Sequence, residues 1–155
     1  MTDIAPAEMT LDELRAALAP LIPANAVFDG WSDKALAMAA TGLGVPAPRA
    51  RLCFPGGAGD MIDAWFDWVD RRIADDFPPE RIEAMKIRER VRSLVLARLE
   101  AVEPNREALR RALAILARPR NLALAARLGW RAADRMWGSP ATRPPTSTII
   151  PSARS

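Results

Sequence analysis

Apolar side chains recur every three or four residues along most of the chain, a period typical of α-helices that bury one face. A first helix is predicted to begin at Thr10, which forms a Thr-x-x-Glu capping box with Glu13. Pro20 and Pro23 are predicted to end that helix, and residues 28–31 to form a turn.

The same spacing predicts five further helices. They are expected at 33–43 after a Ser32 cap, from an Asp60 cap to the Pro78-Pro79 pair, at 79–102, from Pro104 to 117, and at 122–137. The helix at 79–102 carries an in-phase stripe of the kind that usually faces a core: Ile87, Val91, Leu94 with Val95, Leu99 and Val102. No stretch alternates as a strand does, so the sequence predicts an all-α fold.

Composition changes along the chain indicate four segments. Residues 1–9 are predicted to be a flexible lead, and residues 10–59 a helix-turn-helix part. Residues 60–137 form a second helical part. Residues 138–155 consist mostly of Ser, Thr, Pro and Arg without helical period, which predicts a disordered tail.

Composition also narrows the classes of function. The net charge is only +3, which is too weak to argue for nucleic acid, and the chain contains no histidine and no tyrosine. Catalysis by histidine and histidine-ligated metal sites are therefore closed to it, and no catalytic or metal-binding residue is predicted. The single cysteine, the absence of a long apolar run and the lack of an amino-terminal targeting signal favour a bacterial cytoplasmic protein.

Two local clusters invite a chemical interpretation. A row of carboxylates follows at i+3 or i+4 spacing: Asp60, Asp63, Asp67 and Asp70. Such carboxylates can hold a di-metal centre, but that design needs histidines from other helices, so a solvated acidic face is expected. The turn at 56–59 precedes a helix as an anion site would, but no strand or phosphate-binding lysine accompanies it, so a plain turn is expected.

Three residues near the predicted helix-turn-helix also suggest a function: Arg49, Arg51 and Cys53. Arg49 and Arg51 lie where a recognition helix would be, but the other polar residues that anchor a DNA backbone are missing. Cys53 lies between apolar Leu52 and Phe54, which favours a packed, inert thiol over a reactive one.

Tryptophans offer both a structural and a functional interpretation. Trp130 and Trp137 are seven residues apart, on one helix face with Ala126 and Ala133. Their spacing alone favours core packing. Large aromatics beside small residues are also typical of apolar cavities and of partner surfaces.

The region from Gly30 to about Ile62 resembles the helix-turn-helix of TetR-type regulators. Phe54 matches the aromatic residue that closes their recognition helix. The residues that contact DNA phosphate in that family are replaced here by Arg51, Cys53 and Gly57. The resemblance therefore implies a TetR-like scaffold without its DNA chemistry, and no nucleic-acid partner is expected.

The chain as a whole resembles the coenzyme Q biosynthesis protein nine family over roughly residues 10–137. The matching segments are 54–57 (Phe-Pro-Gly-Gly), 60–66, 86–88 with 91–92 and 98–100, 112–117 with Pro119 and Asn121, and 130–137. The resemblance implies a lipid-binding accessory protein of ubiquinone biosynthesis that needs no cofactor. Such a protein binds isoprenoid quinone intermediates at the inner membrane as a peripheral protein and presents them to the di-iron hydroxylase called coenzyme Q biosynthesis protein seven.

The resemblance and the helical phase together suggest site residues. The candidate lipid-cavity wall comprises Trp65, Val69, Leu94, Leu113, Leu116, Leu124, Leu128 and Trp137. The candidate partner-binding residues are Trp130 and Trp137. A homodimer is expected for a full-length member, since TetR-like folds pair through their carboxy-terminal helices.

Residues 138–155 depart from the family, which continues with Leu-Ala-Gly-Asp-Thr-Ser-Thr-Asp-Phe-Asn and Tyr-Thr-Lys-Arg. In the neighbouring reading frame, the codons allowed for these residues permit that segment. We therefore hypothesise a frameshifted tail and missing carboxy-terminal helices, which predicts a chain of low stability on its own. Coding DNA incompatible with the neighbouring frame would contradict the frameshift.

Two other classes of protein remain as alternatives. A degenerate TetR-like transcription regulator that senses a hydrophobic ligand would show salt-dependent duplex binding through Arg49 and Arg51. An enzyme is disfavoured by the absence of histidine and tyrosine.

Overall fold

The computed structural model describes residues 5–137, apart from the side chains of residues 132 and 135–137. This part of the chain is all-α and has no β-strand, as the sequence predicts. The helices are α1 (Leu11–Leu18), α2 (Ile22–Asp29), α3 (Asp33–Leu43), α4 (Ala47–Leu52), α5 (Ala58–Asp76), α6 (Pro79–Glu83), α7 (Ile87–Val102), α8 (Arg106–Leu116) and α9 (Leu122–Trp137). Short 3₁₀ turns precede α8 and α9. The predicted tail, 138–155, lies outside the described residues.

Local start and stop signals place α1 and α3 where the sequence predicts them. The Thr10 hydroxyl accepts a hydrogen bond from the Glu13 N–H, and the Glu13 carboxylate accepts one from the Thr10 N–H at 2.8 Å. Ser32 caps α3, and Gly44 ends it at φ +74°, a conformation that favours glycine. Each signal acts within a few residues and needs no tertiary context.

The sequence did not predict α2. Pro23 was expected to end a helix, but it occupies the first turn of α2, where the missing N–H costs nothing. The turn expected at 28–31 is reduced to Gly30, which ends α2 at φ +68°. The expectation failed because a proline can open a helix as readily as it can close one.

Two other boundaries differ from prediction. The helix expected at 79–102 is divided into α6 and α7, with Lys86 in an extended conformation between them. No glycine or proline marks this break, so the pattern of residues could not place it. Asp60 does not cap α5, which begins at Ala58 after Gly57. The Asp60 carboxylate instead lies within the first turn and accepts a hydrogen bond from the Gly56 N–H at 2.6 Å.

The core lies among α1, α2, α3 and α5. Its largest fully buried side chains are Trp65, Leu14, Leu18, Ile22, Leu36, Met61, Ile62 and Val69. The Trp31 ring lies 5.5 Å from the Trp65 ring, and its indole N–H donates to the carbonyl of Ala108 in α8 at 2.9 Å. Trp31 therefore joins the core to the carboxy-terminal helices.

Candidate functional site

Helix α7 turns an aliphatic stripe towards solvent. Ile87, Val91, Val95 and Leu99 follow one another at i+4 steps, and they are between 42% and 66% exposed. Residues at this spacing form a continuous ridge along one side of a helix. The sequence predicts that these residues share a face, and the structure leaves all four exposed. Of the other residues in the predicted stripe, Leu94 is half-buried and Val102 is buried.

The other side of α7 carries small and charged residues. Its half-buried positions include Ser93, Ala97 and Ala101. Arg98 forms an ion pair with Asp70 of α5 and lies 5.9 Å from the Phe66 ring. Helix α7 therefore meets the rest of the chain through small residues, Leu94, Val102 and an ion pair. Its exposed aliphatic stripe lies outside that contact.

An open groove runs beside the aliphatic stripe. It is open to solvent over most of its extent, has a volume of about 470 Å³ and is lined by Ile87, Arg88, Val91, Arg92, Val95 and Leu96. All six residues belong to α7, and they form two parallel i+4 rows with the groove between them. Because one helix supplies the whole lining, any occupant needs a second surface to be enclosed.

The predicted cavity residues differ in their burial. Trp65 and Val69 are fully buried in the core, and Leu116 and Leu128 are nearly so. Leu94 and Leu124 are half-buried, whereas Leu113 of α8 is 53% exposed. The side chain of Trp137 lies outside the described residues. A lipid-binding role for this set stays a prediction, and sequence reasoning missed the groove because periodicity does not show which face is covered.

Helix α9 also presents apolar residues to solvent. Trp130 is 73% exposed, and Leu122 and Ala126 are exposed near it by helical period. The opposite side of α9 packs inward through Leu124 and Leu128. The structure therefore leaves Trp130, a candidate partner-binding residue, accessible, while the other candidate, Trp137, has no described side chain.

The acidic row on α5 is not the solvated face that was expected. Asp63 lies 2.8 Å from Arg131, 3.5 Å from Arg15 and 3.7 Å from Arg127, and its side chain is only 13% exposed. Arg131 also lies 3.2 Å from Asp67. These pairs hold α9 and α1 against α5. Within the described residues, no three His, Cys, Asp or Glu side chains lie close enough together to hold a metal ion.

Arg15 connects the start of α5 to α1. Its guanidinium donates to the carbonyl of Cys53 at 2.8 Å and to that of Asp60 at 3.1 Å, and it lies 5.0 Å from the Phe54 ring. Sequence reasoning missed this role, since an arginine between apolar helical positions looks like an ordinary surface residue.

The two arginines of α4 are engaged within the chain. Arg49 donates to the carbonyls of Pro6, Ala7 and Met9, so that it holds the residues before α1 in place. The Arg51 guanidinium lies 3.4 Å from the Asp33 carboxylate. Arg49 and Arg51 would have to leave these contacts to bind DNA phosphates.

Cys53 is buried, as expected for a packed thiol. Burial raises the pKa of its thiol, and the charges of Arg15 and Arg49 oppose that shift. A raised pKa lowers the thiolate fraction at neutral pH, which disfavours nucleophilic chemistry.

In the glycine turn before α5, the Asp60 carboxylate lies against a backbone amide of the same segment. Asp60 accepts from the Gly56 N–H, and an added Cβ at Gly56 would lie 2.7 Å from the Asp60 carboxylate. A negative group already occupies the position where an anion would bind, which agrees with the plain turn expected there.

None of the described helices is both long and apolar enough to cross a membrane. The chain matches no protein-family model, and no curated protein matches it.

Proposed function

We propose that this chain is a lipid-binding accessory protein of ubiquinone biosynthesis with a TetR-like fold, and that it is not an enzyme. In this proposal it binds an isoprenoid quinone intermediate at the cytoplasmic surface of a bacterial inner membrane and presents it to the di-iron hydroxylase. The resemblance to the coenzyme Q biosynthesis protein nine family suggests the pathway. The observation that carries lipid binding is the exposed aliphatic groove of α7.

The chemistry of the groove suits a branched hydrocarbon chain. Ile87, Val91 and Val95 provide a continuous aliphatic surface, and isoprenoid units offer methyl branches of similar size. Covering a half-exposed aliphatic side chain contributes roughly 1 kcal/mol, so the four residues of the stripe contribute about 4 kcal/mol. That corresponds to a dissociation constant of about 1 mM. The groove therefore needs a membrane or another surface beside it.

Arginines at the groove favour a membrane as that surface. Arg88 and Arg92 line the groove and are exposed, and Lys86 precedes α7. Each basic residue near an anionic leaflet contributes about 1 kcal/mol at physiological ionic strength. Aliphatic residues flanked by arginines are typical of helices that lie in the membrane interface.

Trp130 is the residue that we assign to the hydroxylase. It lies on α9, outside the α7 groove, and its exposed indole lies on a face with small neighbours. Exposed tryptophans with room around them are frequent energetic centres of protein interfaces. In this assignment one helix holds the lipid and another holds the enzyme that uses it.

The rival regulator is less well supported. It requires Arg49 and Arg51 to contact DNA, and both already have partners within the chain. We propose no nucleic-acid partner.

Flotation with vesicles of phosphatidylcholine and phosphatidylglycerol, with and without an isoprenoid quinone, tests the proposal. We expect the chain to float with the vesicles, more strongly when the quinone is present, and Val91→Asp to reduce binding at least about tenfold because a charge then lies in the groove. Met38→Asp is the matched control, since Met38 is 53% exposed on α3, and it should bind like the unchanged chain. Failure of the unchanged chain to bind either vesicle would contradict the proposal.

A further inference from the structure

The groove on α7 changes in polarity along its length. The row that belongs to the exposed stripe is aliphatic throughout, whereas the other row begins with Arg88 and Arg92 and ends with Leu96. At a rise of about 1.5 Å per residue, the lining from Ile87 to Leu96 is about 14 Å long. The groove therefore has a basic end, at the start of α7, and an aliphatic end.

The two arginines of the groove have no partner within the described part of the chain. Both are exposed, and neither Arg88 nor Arg92 forms an ion pair or a hydrogen bond there. Glu89, which lies between them in the sequence, does not line the groove. Arg98 of the same helix is different, since it pairs with Asp70. Both guanidinium groups at the groove are therefore available to an anion from outside the chain.

The position of these arginines is unfavourable for the helix itself. Arg88 lies in the first turn of α7, where the helix dipole favours acidic residues, and Lys86 before it supplies no side-chain cap. Arg88 and Arg92 are four residues apart, so that two like charges are neighbours on the helix surface. An anion bound by both guanidinium groups would offset the repulsion and form charge-assisted hydrogen bonds.

We infer that the α7 groove takes isoprenoids whose own head group is an anion. In this arrangement Arg88 and Arg92 bind the head group, while Val95 and Leu96 contact the hydrocarbon chain of the same molecule. The inference rests on the proposed function and deepens it, because it names which isoprenoids the groove prefers. An isoprenoid intermediate that carries a carboxylate or a phosphate therefore binds more tightly than a neutral quinone.

The charges of α7 favour a head group on the same molecule as the chain. An anionic leaflet that covered the whole helix would also meet Glu100, which is exposed near the end of α7. A single amphiphile places its charge at the basic end of the groove and its chain at the aliphatic end. The order of polarity along the groove is the order within such a molecule.

Nuclear magnetic resonance titration with soluble isoprenoids tests the inference without a membrane. Geraniol, geranic acid and geranyl phosphate share one hydrocarbon chain and differ in the head group. We expect the methyl signals of Val95 and Leu96 to shift with all three, and both anions to bind about tenfold more tightly than geraniol, since each exposed ion pair adds a factor of a few.

The three ligands also separate this inference from the proposed function. Equal affinities for all three, or no binding of any, would overturn the inference, while vesicle flotation with the neutral quinone remains the test of the function. A preference for the anions that arises only when phosphatidylglycerol vesicles are present would assign the anion to a separate phospholipid, and would also overturn the inference.

Neutral variants identify the two arginines as the source of the preference. Arg88→Gln combined with Arg92→Gln should lower the affinity for geranic acid about tenfold, to that of geraniol. Arg120→Gln is the matched control, because Arg120 is an exposed arginine outside the groove, in the turn before α9. An equal loss in the control would show that net charge causes the preference and would overturn the assignment to the groove.

Charge reversal gives the sharpest test of the head-group position. In a chain with Arg88→Glu and Arg92→Glu, geranylamine should bind more tightly than geraniol, and geranic acid more weakly. Acidic residues are favoured at the start of a helix, so α7 should keep its structure, which circular dichroism checks. A folded variant that still prefers geranic acid would overturn the inference.

Discussion

The two halves of the described chain differ in which apolar side chains they bury and which they expose. Helices α1–α5 bury large side chains against one another, with Trp65 at the centre of the core. Helices α6–α9 bury small residues such as Ala108 and Ala112, while α7 and α9 direct aliphatic and aromatic residues outward. The first half supplies the largest buried side chains, but Val102, Ala108, Ala112, Leu116 and Leu128 of the second half belong to the same core cluster. The second half also leaves the aliphatic stripe of α7 and Trp130 of α9 exposed to solvent.

Attachment of the second half also differs in kind. Besides apolar packing in the shared core, polar contacts connect it to the first half at three helices. The Trp31 indole donates to the carbonyl of Ala108 in α8, Arg98 of α7 pairs with Asp70, and Arg131 of α9 pairs with Asp63. Exposed ion pairs are weakened by salt through screening, whereas buried aliphatic contacts are not. We therefore expect the contacts of α7 and α9 with α5 to weaken at high salt more than the packing of α1–α5 does.

The largest expected effect is a difference in stability between alanine variants of two tryptophans, Trp65 and Trp130. Trp65→Ala should lower the free energy of unfolding by about 4 kcal/mol, because it leaves a cavity in a fully buried site. Trp130→Ala should change it by less than about 0.5 kcal/mol, because that ring is mostly in solvent. Urea denaturation followed by circular dichroism measures both. Equal losses would show that the second half is as tightly packed as the first.

A smaller effect is expected at the attachment of α9. Asp63→Ala should cost about 2 kcal/mol, because three arginines lose the carboxylate they share in a partly buried position. Hydrogen exchange should speed up in α9 more than in α2 or α3. Asp75→Ala, at an exposed position of the same helix, is the control and should leave both quantities unchanged. Uniformly faster exchange would mean that Asp63 supports the whole fold instead of this attachment.

The smallest effect concerns the first turn of α8. Hydrogen bonds from Arg110 and Arg111 lower the pKa of Glu107 from 4.5 to about 2. A carboxyl group with a lowered pKa in the folded state stabilises the fold above 4.5, and the contribution is lost as the pH falls towards 2. The melting temperature should therefore fall over this range, and Glu107→Gln should make the fall shallower. A variant with the same pH profile as the unchanged chain would exclude Glu107 as a contributor.

Sequence reasoning succeeded where a structural signal is local. The capping box at Thr10, the cap at Ser32 and the stop at Gly44 act within one helical turn, and the structure confirms them. It failed at Pro23, because a proline can either end the preceding helix or begin the next one. It also failed at Lys86, because no glycine or proline marks the break between α6 and α7.

The site was harder to predict than the fold. Helical phase correctly groups Ile87, Val91 and Val95 on one face, but it cannot say whether that face meets the core or solvent. The partners of Asp63 come from α1 and α9, so no spacing within α5 could reveal them. Contacts between helices that are far apart in the sequence can be identified only in the folded structure.

Hydrogen exchange with and without quinone-bearing phosphatidylcholine and phosphatidylglycerol vesicles tests the central claim most directly, namely that α7 is completed by another apolar surface. We predict that vesicles slow exchange in α7, since lipid then shields its aliphatic face, while α1–α3 exchange as before. Unchanged protection in α7 despite binding, or a change centred on α3 and α4, would contradict this account.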